Sequence, residues 1–167
     1  MQFSDQLALR QLQVIPNKQP TQAQPQHWQI NATAQVRQHV SHETSVIVEA
    51  HISPENFQGE SLHFTQQQTL QTGSNSLDLS FPLDNPALWW PYDHGKPNLY
   101  KLQLSLKDKR GRLLDQQEQV FGVREVSVDD GLQWHINGRR LFLRGTNYIA
   151  SQWLAEMTPA RYRRDLE

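Results

Sequence analysis

The sequence predicts an all-β fold, an immunoglobulin-like antiparallel β-sandwich. Three observations carry that prediction. Apolar residues recur with period two in segment after segment, turn-forming residues separate those segments at short intervals, and no convincing helical pattern precedes residue 150. Seven or so short strands of this kind suit two stacked sheets, although the cysteine pair of antibody domains is missing.

Leu9 to Ile15 reads as a weak first strand, and the polar, proline-bearing "NKQPTQAQPQ" after it as a loop. In "HWQINATAQVRQHV", Trp28, Ile30, Ala32, Ala34, Val36 and Val40 share one face, interrupted only by Gln38, while polar residues take the other. That is the pattern of a half-buried strand. "TSVIVEAHI" repeats it through Val46, Val48, Ala50 and Ile52, and "LYKLQLSL" through Tyr100, Leu102, Leu104 and Leu106. Weaker strands are expected at Leu62 to Phe64 with its polar continuation, at Leu77 to Leu83 and at Val120 to Val128. "SPENFQGE", "QTGSN" and "KDKRGR" supply the reversals. These elements make up a sandwich domain over residues 1–129.

Residues 130–167 have a different character. Leu132, Trp134 and Ile136 alternate into Asn137-Gly138, both of which tolerate the positive φ of a type I′ turn, and "RRLFLRG" returns from it. Thr158-Pro159 then reads as a helix N-cap followed by proline at the first helical position. The polypeptide stops inside that helix, so it is expected to be a piece of something longer.

Composition removes several function classes. A net charge of −1 with neither sign gathered in a block gives no electrostatic case for nucleic acid or an anionic membrane. No stretch approaches the roughly 20 apolar residues of a membrane helix, and the first residues lack a signal-peptide pattern. Without cysteine there is no thiolate metal site, and the compartment stays open between cytoplasm and periplasm. His39 and His42 fall on different faces of an extended chain, so no metal and no cofactor are expected. Asp93-His94 and Asp129-Asp130-Gly131 read as solvated turns rather than catalytic pairs.

The adjacent tryptophans of "NPALWWPYDHGKPNLYKLQL" admit two readings, a sugar-stacking platform or a pinned domain edge. Consecutive residues of an extended chain point opposite ways, so Trp89 and Trp90 cannot make one flat platform. They are expected at a domain interface, one ring toward the core and the other toward a neighbouring domain. Pro86 and Pro91 suit such an edge segment, because proline fixes φ and removes a ladder donor.

Asn85-Pro86, Leu88 to Pro91, Gly95, Pro97, Leu99-Tyr100, Phe121 to Arg124, Asn137-Gly138 and Arg144 to Asn147 stand in one order and spacing. Together they resemble glycoside hydrolase family 2, sharply over the C-terminal half and only as strand pattern before it. The resemblance implies a sandwich between a sugar-binding jelly roll and a (β/α)8 barrel with two catalytic glutamates. Leu141-Phe142-Leu143 would then begin the first barrel strand, and Arg144, Asn147 and Tyr148 would face the substrate, a β-linked sugar. The aromatic Tyr148 after Asn147 resembles the β-mannosidase and exo-β-glucosaminidase branch. Ala150, Ser151 and Gln152 depart from the Ile-Pro-acid continuation of β-mannosidases. Retaining hydrolysis needs two carboxyls about 5 Å apart, and neither Glu156 nor Glu167 matches a catalytic position. The implied parent is an exo-acting β-glycosidase, this piece of it inactive, its partners the neighbouring domains. A free-standing carbohydrate-binding or adhesive sandwich is the alternative.

Overall fold

A computed structural model describes residues 7–20, 26–145, 147–148 and 157–166. Seven strands form the sandwich: β1 (Leu7–Lys18), β2 (His27–Gln38), β3 (Thr44–Pro54), β4 (Leu62–Leu70), β5 (Gly73–Asp84), β6 (Tyr100–Lys107) and β7 (Leu113–Phe121). One sheet has the order β1-β2-β5 and the other β4-β3-β6-β7, all neighbours antiparallel. The three strands with the cleanest alternation, β2, β3 and β6, each lie between two neighbours. Their apolar faces meet as the core: Ile30, Ala34, Val46, Val48, Leu102, Leu104 and Leu106 are all essentially inaccessible.

The edges hold what the alternation alone does not reveal. β1 starts earlier than expected, at Leu7, and carries a bulge between Leu9 and Gln11. One extra residue reverses the side-chain phase, so Leu7 and Leu9 point inward before the bulge and Leu12 and Val14 after it. Side chains of β7 satisfy the backbone at this bulge: the Leu9 amide donates to Asp115 at 2.6 Å, and Gln117 Nε2 donates to the Leu9 carbonyl at 3.0 Å. The two sheets are thus latched together at their edges.

The strand expected at Val120 to Val128 is two strands. β7 ends at Phe121, four residues follow without strand pairing, and β8 (Val126–Val128) belongs to a separate small sheet. There β9 (Trp134–Ile136) pairs with both β8 and β10 (Arg139–Leu141). The expected hairpin is present, with Asn137 at φ 50° and Gly138 at φ 78° in the turn. The chain closes with helix α1 (Pro159–Leu166), whose first turn is capped by Thr158: its Oγ1 accepts the Arg161 amide. Phe142 and Leu143 lie outside any strand and are exposed, so the first barrel strand expected at Leu141 to Leu143 is not formed; Leu141 ends β10 instead.

On the outer face of the four-stranded sheet, His51 and His63 are direct cross-strand partners with rings stacked at 4.1 Å. Burial lowers the His51 pKa below its ordinary 6.5, and the nearby charges of His63 and Lys101 lower it further. The unfolded chain therefore binds a proton that the folded chain resists. This contribution to stability is complete above pH 6.5 and is lost as pH falls through the depressed folded value. The thermal midpoint should fall between about pH 7.5 and pH 5.5, and His63→Gln should shrink that fall, as scanning calorimetry at the two pH values would show.

Candidate functional site

The segment from Asn85 to Leu99 leaves β5, makes a short excursion and enters β6. Asn85 begins it at φ 46°, and its Oδ1 accepts the Gln26 amide at 2.9 Å. Ala87 and Leu88 pack against the core, and the Ala87 amide donates to Tyr100 Oη at 2.9 Å. Burial raises the Tyr100 pKa, outweighing that hydrogen bond, so the phenol stays protonated.

Trp89 and Trp90 come next, both half-buried. Their backbones make separate bonds. The Trp89 amide donates to the Val123 carbonyl at 2.8 Å, and the Trp90 amide donates to the Lys96 carbonyl at 3.1 Å. Their rings have separate partners too: the Arg124 guanidinium lies 4.7 Å from the Trp89 ring centre, and that of Arg139 lies 4.7 Å from the Trp90 ring centre. Both separations are within cation–π range. The two rings thus share no cationic partner. Neither ring joins the core cluster, so the expectation that one of them faces the core is not met. They flank the crossing from sandwich to hairpin.

Two glycines permit that arrangement. A Cβ on Gly122 would stand 2.9 Å from Trp89 Cβ and Cγ, and one on Gly95 would stand 2.8 Å from Trp90 Cγ. Gly122→Ala should therefore push Trp89 off Arg124 and destabilise the chain by about 1–3 kcal/mol, the usual cost of overpacking. Chemical denaturation monitored by tryptophan emission measures it; an unchanged midpoint would contradict the close packing.

Asn137 ties the hairpin to the same point. Its Nδ2 donates to the Trp89 carbonyl at 3.0 Å, and its Oδ1 accepts the Glu125 amide at 2.9 Å. The Asn137 amide in turn donates to the Glu125 carbonyl at 2.9 Å. Arg139 adds a hydrogen bond to the His94 carbonyl, also at 2.9 Å, and Lys18 of β1 reaches Glu125 at 2.8 Å. Four motifs separated in the chain, Leu88 to Pro91, Gly95, Phe121 to Arg124 and Asn137-Gly138, thus build one junction. The arginines that cover the indoles are the part that pattern reading missed. Arg124 was visible only as the end of a Phe-Gly-x-Arg motif.

The residues expected to face a sugar lie beyond this junction. Arg144 and Asn147 are exposed and belong to no strand. Tyr148 is drawn to α1: its hydroxyl donates to Asp165 Oδ2 at 2.7 Å, and its ring lies 6.3 Å from that of Tyr162. The shared hydrogen bond raises the Tyr148 pKa and lowers that of Asp165, which Arg164 also favours as a carboxylate. Ala150, Ser151, Gln152 and Glu156 fall outside the described residues, as does Glu167. Among the described residues there is no cluster of three or more metal-ligating side chains, and no helix is long and apolar enough to cross a membrane.

The family model described as Glycosyl hydrolases family 2 matches residues 8–124, well over half of the chain. Beta-mannosidase B of Emericella nidulans is 33% identical over 101 residues, covering 56% of this chain and 12% of that protein. Mannosylglycoprotein endo-beta-mannosidase of Lilium longiflorum is 33% identical over 87 residues, covering 49% of this chain and 9% of that one. The crystal structure of beta-D-mannosidase from Dictyoglomus thermophilum superimposes with a TM-score of 0.73 at 29% identity, over 98% of this chain and 20% of its own. The chain thus spans about a tenth of these curated relatives and a fifth of the solved mannosidase.

Proposed function

The chain belongs to glycosyl hydrolases family 2, and on that premise we propose that it is a non-catalytic middle segment of a retaining, exo-acting β-glycosidase of β-mannosidase type. Its work is mechanical. The sandwich holds a catalytic domain in register with whatever precedes it, and Trp89 and Trp90 form the coupling point. The observation that carries this reading is the junction: Trp89, Gly122, Arg124 and Asn137 are bonded or packed to one another, so the hairpin cannot swing freely from the sandwich.

Arg144, Asn147 and Tyr148 would stand where the polypeptide enters the catalytic domain. Arg144 and Asn147 are exposed and offer hydrogen-bond donors suited to sugar hydroxyls or to carboxylates around them. Retaining hydrolysis requires a nucleophilic carboxylate and an acid about 5 Å apart, and these are placed in the larger remainder of the parent. The β-mannosidase assignment draws on the names of the relatives and on Tyr148 following Asn147. A free-standing sugar-binding module would need an open indole face, and a guanidinium covers one side of each indole here.

The test is a panel of chromogenic β-mannoside, β-glucosaminide, β-galactoside and β-glucuronide, given to the full-length parent and to this chain. Turnover of the β-mannoside by the parent, with none by the chain, is expected. Turnover by the chain itself would overturn the non-catalytic assignment. An inert parent would overturn the glycosidase reading.

A further inference from the structure

The two seams of the sandwich differ. Along one, β1 and β7 are latched through Leu9, Asp115 and Gln117. Along the other, between β4 and β5, Phe64 and Phe81 bridge the sheets with ring centres 4.8 Å apart, and a cleft of about 610 Å³ opens beside Phe64. Sites for small molecules run to roughly 300–1,000 Å³. The cleft is apolar at depth, where Leu83 and Tyr100 are buried and Phe57, Leu62 and Phe64 half-buried. Gln58, Glu60, Asp84 and Asn85 are exposed around it. None of Trp89, Trp90, Arg124 and Arg139 lines it, so it is separate from the tryptophan junction.

The wall that carries Phe57 is fixed in advance. The Glu55 amide donates to the Leu99 carbonyl, Asn56 Nδ2 donates to the Pro97 carbonyl, and Asn56 Oδ1 accepts the Leu99 amide, each at 2.8 Å. The Phe57 ring stands nearly perpendicular to that of Tyr100, centres 4.9 Å apart, and a Cβ on Gly59 would come within 3.2 Å of it. A wall held this way loses little freedom when a ligand arrives. The polar groups, by contrast, have bonding capacity left over. Gln58 and Glu60 make no hydrogen bond or ion pair among the described residues. Asn85 is tied to Gln26 through its amide and Oδ1, which leaves Nδ2 unused. The Tyr100 hydroxyl accepts the Ala87 amide, and its own proton has no acceptor among the described residues.

Aromatic carbon at depth and unused donors and acceptors around it complement a pyranose, whose C–H face packs on a ring while its hydroxyls exchange hydrogen bonds. The charge narrows the choice. Two carboxylates, Glu60 and Asp84, line the cleft without a lysine or arginine, so an anionic sugar would meet like charge there. Resting on the proposed function, we infer that the cleft between β4 and β5 is a non-catalytic binding site for a neutral pyranose. The sandwich then does more than hold a catalytic domain in register: it also retains part of a glycan.

Titration of the 167-residue chain with β-1,4-linked mannobiose, followed by the NMR shifts of its backbone amides, tests this. Amides of residues 57–64, 83–85 and 100 should shift saturably, with a Kd of about 1 mM or tighter. Methyl β-glucuronide should bind at least about tenfold more weakly. Gln58→Ala and Glu60→Ala should each weaken mannobiose about fivefold, and Glu60→Ala should also narrow the gap to the glucuronide. Both variants should keep the thermal midpoint within about 2 °C, since neither side chain has a partner in the fold. Absence of saturable shifts at about 20 mM mannobiose would overturn the inference and leave the glycosidase reading to the substrate panel. Shifts confined to Trp89 and Trp90 would overturn it in favour of the junction, and equal binding of the glucuronide would overturn the choice of a neutral sugar. Saturable binding at the cleft, alongside a parent inert on all four glycosides, would support the site and overturn only the enzymatic reading.

Discussion

Leu104→Ala should cost the chain about 2–5 kcal/mol, lowering its thermal midpoint by roughly 5–20 °C. Leu104 is fully inaccessible at the centre of β6, paired with Ala50 on one side and Gln117 on the other. Removing three carbons there leaves a void that two sheets, fixed by hydrogen bonds on both flanks, cannot close. Leu113→Ala provides the contrast. Leu113 begins the edge strand β7 and is 46% exposed, so its loss should change the midpoint by no more than about 2 °C. Equal effects at the two positions would mean that the packing order described here is wrong.

Asn137→Ala should be nearly as damaging, by about 2–4 kcal/mol, through different physics. The substitution leaves the Trp89 carbonyl and the Glu125 amide without their side-chain partners, at about 1–3 kcal/mol for each group that stays buried. It also puts a Cβ-bearing residue with no local hydrogen bond at φ 50°. Asn137→Gly separates the two terms, since it relieves the backbone and still deletes the bonds. It should recover about 1 kcal/mol of the loss. The expected signature is local: the emission of Trp89 and Trp90 should change at lower denaturant than the sandwich's far-ultraviolet signal. A single coincident transition for Asn137→Ala would show that junction and sandwich unfold as one unit.

Which parts of this molecule were legible beforehand follows from where each strand sits. β2, β3 and β6 are central, so each must bury four or more alternating side chains, and their sequences say so. β7 is an edge strand that buries only Leu114 and Phe121, and "LLDQQEQVF" has no periodicity to read; its place comes from the β6 ladder and from its latch onto Leu9. The bulge in β1 left a trace, a phase change between Leu9 and Leu12, but an extra residue says nothing by itself about where a strand begins. The expected strand from Val120 broke because residues 122–125 must carry the chain from one sheet to another while giving the Val123 carbonyl to Trp89.

The site shows the same division. Its glycines were visible as motif positions, and the reason for them was not: only the packed structure shows that a Cβ at Gly95 or Gly122 would strike a tryptophan. That Trp89 and Trp90 would not act as one unit is an expectation from backbone geometry alone, and the two rings do have different partners. Which arginines those are does not follow from it, because Arg139 comes from a hairpin some fifty positions later, at a spacing no local rule covers. Arg144 and Asn147 stand apart from both cases. They are exposed, and the chemistry proposed for them depends on groups beyond this chain.

The hairpin turn whose side chain is bonded to the sandwich also sets a clock on the protein. Asn137-Gly138 is the dipeptide most prone to spontaneous deamidation, in which the glycine nitrogen attacks the asparagine side chain and ammonia departs. Here that side chain is engaged by its bonds to the Trp89 carbonyl and the Glu125 amide, so its freedom to meet the glycine nitrogen is restricted while the junction is folded. Once converted to aspartate, the residue would present a carboxylate oxygen to the Trp89 carbonyl where an amide donor had been, and the bond could not re-form. Chemical ageing and mechanical loosening of this domain are therefore the same event, and each brief opening of the junction advances both.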